Sequence, residues 1–191
     1  MSVGASSPHQ IDVSIDGPFQ DKVNENWLKS VVQAGLDAAV EQSDGVQVSL
    51  LVTGDDVLQE LNRQFRGLDE ATDVLSFSTT HAGHWEGDSE EPEDMYLKPG
   101  DTDEFPLILP PGELPALGEV VLSYPQAARQ AAEYSRPVDT EVAHLVIHGL
   151  LHLVGHDHEA PEERAIMEAR ERAGLDAVSR MNMPQLEAQY P

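Results

Sequence analysis

The sequence predicts a single α+β domain built on a small, mixed, mostly parallel sheet packed with helices. Three observations carry that expectation. Short apolar runs with strand patterning recur at residues 11–15, 46–52, 74–77 and 119–122, and helical patterns lie among them. Helices crossing between strands favour a partly parallel sheet with the helices packed against it. At 191 residues with 40% hydrophobic side chains, the chain can support one well-buried core, and no internal repeat argues for an array.

The elements follow in order. Ile11, Val13 and Ile15 alternate with polar residues as a strand does, and Val23, Trp27, Val31 and Leu36 then recur at helical intervals to about residue 41. Residues 46–52 form the second strand. Thr53 is the expected N-cap of a helix whose Val57, Leu61 and Phe65 share one face, and which ends at Gly67 with Arg66 at its edge. After strands 74–77 and 119–122, Pro125 opens a helix that must stop before Pro137. A long helix follows from about 139 to 154, with Val142, Leu145, Val146, Leu150 and Leu153 facing inward. Residues 162–173 make a final amphipathic helix, with Met167 in its core face.

The outer segments are polar. Residues 1–9 read as a disordered tail, with no basic segment followed by an apolar stretch, and no run is long enough to span a bilayer. The expectation is a cytoplasmic protein with no membrane partner. Cysteine is absent, so a transition metal must be held by His and carboxylate groups. The formal net charge of -24 is the reverse of the basic surface by which nucleic-acid binders release phosphate counterions. That charge is uneven. Residues 79–116 hold ten acidic side chains against one lysine, whereas residues 61–78 set Arg63 and Arg66 against three acids. The first of these segments reads as a solvated acidic surface insertion.

The run 148–158 reads HGLLHLVGHDH and carries four imidazoles in eleven residues. His148 and His152 stand four apart, so on a helix both rings leave the same face one turn apart, a spacing that lets two imidazoles hold one ion. Gly155 offers the positive-φ position that ends a helix and turns the chain back, which brings His158 within reach as a third ligand. His156 competes for that third place. Three protein ligands leave one position open for a zinc-bound water whose pKa falls to about 7. His144 extends the stripe by another turn, about 12 Å along the axis from His152 at 1.5 Å per residue, which suits a core or ligand-orienting role. Asp157 and Glu119 are candidate acceptors for ligand imidazoles. The helix is of the zincin kind, except that Gly149 occupies the place where an H-E-x-x-H peptidase carries its glutamate base. The imidazoles must be neutral to bind, so metal occupancy should fall as pH drops below about 6.5.

These residues resemble a known family. The run 148–158 is similar to the H-G-x-L-H-L-x-G-Y-D-H signature of the YbeY family, bacterial metal-dependent endoribonucleases of ribosomal RNA maturation. Residues 61–67, LNRQFRG, and 72–77, TDVLSF, resemble its L-N-x-x-F-R-G and T-N-V-L-S-F segments, and 117–123, LGEVVLS, resembles its L-G-D-I-V-I-S strand. His156 stands for the usual tyrosine, Asp73 for the usual asparagine, and the insertion 79–116 exceeds the family norm. The resemblance implies one Zn²⁺ per chain on His148, His152 and His158, with Arg66 as a functional residue at the cleft. It implies single-strand cleavage of ribosomal RNA, including processing of the 16S 3′ end, and ribosome quality control with ribosomal subunits as partners. An Arg66 guanidinium facing the metal would clamp a phosphate and stabilise charge growing in the transition state. Without the resemblance, Arg66 reads as a partner of carbonyls at its helix end. Two other classes fit the same ligands: a metal-dependent hydrolase of another substrate such as a peptide, and a non-catalytic ribosome-assembly factor with a structural zinc.

Overall fold

A computed structural model describes residues 9–39, 45–79, 113–156 and 160–187. Apart from residues 9, 79 and 113–116, the tail 1–9 and the insertion 79–116 lie outside the described residues, as do Asp157 and His158. The described elements are β1 (Gln10–Ile15), α1 (Glu25–Ala39), β2 (Gln47–Thr53), α2 (Asp55–Arg66), β3 (Val74–Ser78), β4 (Ala116–Ser123), α3 (Tyr124–Glu133), α4 (Val138–Leu153) and α5 (Pro161–Glu187). One sheet runs in the order β1-β2-β4-β3, with β1, β2 and β4 parallel and β3 antiparallel at the edge. The fold is α+β with a mixed, mostly parallel sheet, as the element pattern predicts.

Alternation along the strands divides the molecule into layers. Val48, Leu50, Val52, Val120 and Leu122 enter the main core with α1, α4 and α5, while Leu51 and Val121 meet Leu58, Leu61, Leu75 and Phe77 in a smaller core under α2. The metal-motif helix α4 and the Arg66-bearing helix α2 therefore lie on opposite faces of the sheet.

Local chemistry sets the ends of the elements. Asn24 Oδ1 accepts from the Trp27 backbone N–H at 3.0 Å and starts α1. Ser123 Oγ accepts from Gln126 N–H at 3.2 Å and starts α3. Thr53 is not a cap: Gly54 occupies that position, and Thr53 ends β2 with its hydroxyl given to Asp16 Oδ2 at 2.5 Å. Gly67, at φ 73°, returns its N–H to the Asn62 carbonyl and stops α2. Helix α5 begins where expected but continues through Gly174 to Glu187. At Gly174 a β-carbon would come within 3.1 Å of Ile147 Cδ1, so this glycine admits a close approach of α4 rather than ending the helix.

The pairing of β2 with β4 shifts between Gln47 and Val48, whose partners are Ala116 and Gly118, leaving Leu117 as the extra residue of a bulge. Gly118 sits at φ 141° within it. Gly149 is where α4 meets the sheet. A β-carbon there would lie 2.9 Å from Val120 Cγ1 and 3.0 Å from Ser76 Oγ. Overpacking costs about 1–3 kcal/mol and the better helix propensity of alanine returns about 1. Gly149→Ala should therefore lose up to about 2 kcal/mol, read as a lower urea midpoint.

Candidate metal centre

From Glu141 to Leu153 every residue of α4 is buried except three: His144, His148 and His152. The helix is packed by β3, β4, α1, α3 and α5, and what it shows to solvent is a stripe of imidazoles at four-residue spacing. The His148 and His152 rings stand edge to face with centroids 4.7 Å apart, and their Nε2 atoms converge to 3.1 Å. Two nitrogens bound to one tetrahedral zinc at about 2.05 Å each would be separated by about 3.3 Å. The pair has the bite a metal needs.

The other side of His148 is fixed. Its Nδ1 lies 2.6 Å from Glu171 Oε1 on α5, a carboxylate only 16% exposed. Burial pushes the Glu171 carboxyl up, but the His148 hydrogen bond and the neighbouring charges of His148, His144 and His152 prevail and hold it below the usual carboxylate value. The contact has the geometry of an imidazole Nδ1–H donating to a carboxylate oxygen. This is the chemistry of a metal-ligand histidine, with one nitrogen toward the ion and the other anchored on a carboxylate.

His144 is set apart from the pair. Its ring centroid lies 6.2 Å from that of His148, and its Nδ1 is 3.9 Å from Glu141 Oε1, beyond hydrogen-bond reach. Burial pushes this imidazole below its ordinary value, against the pull of Glu171 and with help from the Arg136 guanidinium. Glu141, 1% exposed, forms an ion pair with Arg136, which also rests on the Tyr134 ring at 5.0 Å.

The other candidates take separate positions. After α4, the Gly155 N–H returns to the His152 carbonyl and the His156 N–H to the Leu151 carbonyl, both at 3.0 Å, with Gly155 at φ 84°. The turn expected at this glycine is present. The His156 ring meets the Ala39 carbonyl at the end of α1; burial and the Arg170 charge push its pKa down, and that bond opposes them. Glu119 is exposed and shares its sheet face with Val121, on the α2 side, so the sheet separates it from α4. The carboxylate that meets an imidazole of the stripe is Glu171. Arg66 is half-buried at the last residue of α2, next in sequence to Phe65, whose ring packs on Phe77 of the edge strand at 5.0 Å. Groups of three or more potential ligands do not occur among the described residues, and His158 is outside them.

A family model described as Endoribonuclease YbeY matches residues 14–179. The chain belongs to the YbeY family. It is 37% identical over 162 residues to the endoribonuclease YbeY of Dehalococcoides mccartyi, covering 85% of this chain and 86% of that one. The endoribonuclease YbeY of Moorella thermoacetica is 40% identical over 152 residues, with 79% and 84% covered, and that of Roseiflexus is 35% identical over 176, with 91% and 96% covered. A Thermotoga maritima protein solved in solution shares the fold, with a TM-score of 0.54 at 23% identity over 92% of this chain and 93% of that one. No helix among the described residues is long and apolar enough to cross a membrane.

Within this YbeY-family site the residue that sequence reasoning passed over is Glu171. A signal for it exists. Met167, Gly174 and Val178 are buried against the core at helical spacing, and Glu171 falls on the same face. A carboxylate on an apolar stripe calls for a partner, and the imidazole facing it across the helix pair is that partner.

Proposed function

We propose that the chain is a zinc-dependent endoribonuclease that cuts single-stranded ribosomal RNA during maturation of ribosomal subunits in the cytoplasm. The observation supporting it most directly is the converging Nε2 pair of His148 and His152, anchored by Glu171, in a chain whose relatives are named endoribonuclease YbeY. His148 and His152 would hold one zinc ion together with His158, the third ligand that the family resemblance implies. Bound there, zinc supplies Lewis acidity toward a phosphoryl oxygen.

The chain's own residues do the rest. The Nδ1–H of His148 given to Glu171 leaves Nε2 with its lone pair outward, and the buried flanks of α4 confine the polar chemistry to the histidine stripe. The neighbour of the first ligand, Gly149, faces Val120 and Ser76. A side chain at that position would enter the sheet, so no general base of the H-E-x-x-H kind stands there, which favours phosphodiester over peptide chemistry. Arg66 is the proposed phosphate contact. Since α2 occupies the opposite face, its guanidinium must reach round the β3 edge to meet a strand lying on the stripe. Lys29, Arg63, Arg129 and Arg136 are each paired with a carboxylate. Affinity for RNA is therefore expected from a few contacts at the site rather than from a basic surface.

The test is cleavage of a single-stranded ribosomal fragment and of a peptide pool, side by side, with zinc supplied and with His152→Ala as the control against contaminating nuclease. RNA cleavage lost in the variant supports the reading. A wild-type protein that neither retains metal nor cuts RNA when zinc is supplied ends it. Product ends separate the routes: a 2′,3′-cyclic phosphate reports attack by the RNA's own 2′-hydroxyl, and its absence at early times reports attack by water.

A further inference from the structure

We infer that Glu171 is a positioning residue that selects the metal-binding tautomer of His148, so that α5 presets the site before any ion arrives. The inference rests on the proposed reading of His148 and His152 as zinc ligands.

A neutral imidazole carries one proton on either nitrogen, and only the nitrogen without it can bind a metal. With Glu171 Oε1 2.6 Å from Nδ1, the proton is held on that nitrogen and Nε2 keeps its lone pair. Nε2 is the atom that faces His152. Without the carboxylate both tautomers become accessible, and the ring is free to turn about its side-chain bonds.

The position of the carboxylate is itself enforced. The adjacent residue, Arg170, gives its Nη1 to the carbonyls of Ala38 and Ala39 at 2.8 and 3.2 Å, fastening α5 to the end of α1. Met167 and Val178 are buried on either side of Glu171 along the helix, and Gly174 sits against Ile147 of α4. These contacts fix both the rotation of α5 and its distance from α4, so the Glu171 Cα is held where its carboxylate reaches His148. An acid in this half-buried place is costly unless it is hydrogen-bonded, and the imidazole meets that need.

Two full-length variants test the inference. Glu171→Met keeps the size and helix preference of the residue, continues the apolar stripe and removes the acceptor. Glu171→Gln keeps an acceptor oxygen without the charge. Zinc affinity is measured by competition with a chromophoric chelator, and the His148 tautomer by ¹⁵N NMR of the metal-free protein. Glu171→Met should fold, bind zinc about 10–100-fold more weakly, and show His148 protonated partly or wholly on Nε2. Glu171→Gln should recover a large part of that loss. A folded Glu171→Met protein with wild-type zinc affinity and a His148 still protonated on Nδ1 overturns the inference. Equal loss in both variants with the tautomer unchanged does so too, since it indicates packing alone. Should the wild type bind no zinc, the metal reading fails, while the tautomer comparison still decides what Glu171 does to His148.

Discussion

Gly118→Ala should cost about 2–6 kcal/mol and remove much of the stability of the fold. Two effects add. Gly118 lies at φ 141°, where a side chain is strained by about 1–3 kcal/mol, and a β-carbon there would sit 2.2 Å from the Phe77 carbonyl oxygen. That oxygen belongs to the backbone of β3, so the collision cannot be relieved by a rotamer change. The edge strand must move, at a further cost of about 1–3 kcal/mol. Against a total stability of about 5–15 kcal/mol this is a large fraction. Urea unfolding followed by circular dichroism measures it, with Gly17→Ala as the comparison, because a β-carbon at Gly17 meets nothing within 4 Å and the change should stay within about 0.5 kcal/mol. Equal midpoints for the two variants would show that the bulge relaxes.

The second large effect separates the two histidines. His152→Ala removes one of the converging nitrogens and should lower RNA cleavage by about 10³-fold or more, the equivalent of several kcal/mol of transition-state stabilisation. Its stability should change little, since His152 is half-buried on the open stripe. His148→Ala should lose the same activity and also stability, by about 1–3 kcal/mol, because it leaves the Glu171 carboxylate without its imidazole. Zinc titration and thermal melts on the two variants read the two quantities apart. Matching melts would mean that Glu171 finds solvent when His148 is gone.

Much of this was legible in the sequence because it depends on short spacings. Strand alternation, the caps at Gly67 and Gly155 and the four-residue step from His148 to His152 are local patterns, and local patterns survive in one dimension. What failed depended on contacts distant in the chain. Thr53 looks like a cap until Asp16 is placed across the sheet from it. The final helix, read as 162–173, runs on through Gly174, where Ile147 of α4 occupies the space a side chain would need. Glu119 lies within the motif strand β4, yet the pleat turns it to the face away from α4. Glu171 is twenty-three residues from His148, and only the crossing of α5 over α4 brings them together.

The edge strand has a further consequence. Ser76 and Ser78 of β3 give their hydroxyls to the carbonyls of Gly149 and Leu153, each at 2.9 Å, along the C-terminal part of α4. Helix ends ordinarily fray, exchanging their amide protons by local opening at little free-energy cost. Here the last turn, which carries His152, is tied to the edge strand by two hydroxyls, so its opening must also break those bonds. The candidate metal-binding turn is thereby coupled to the stability of the sheet edge.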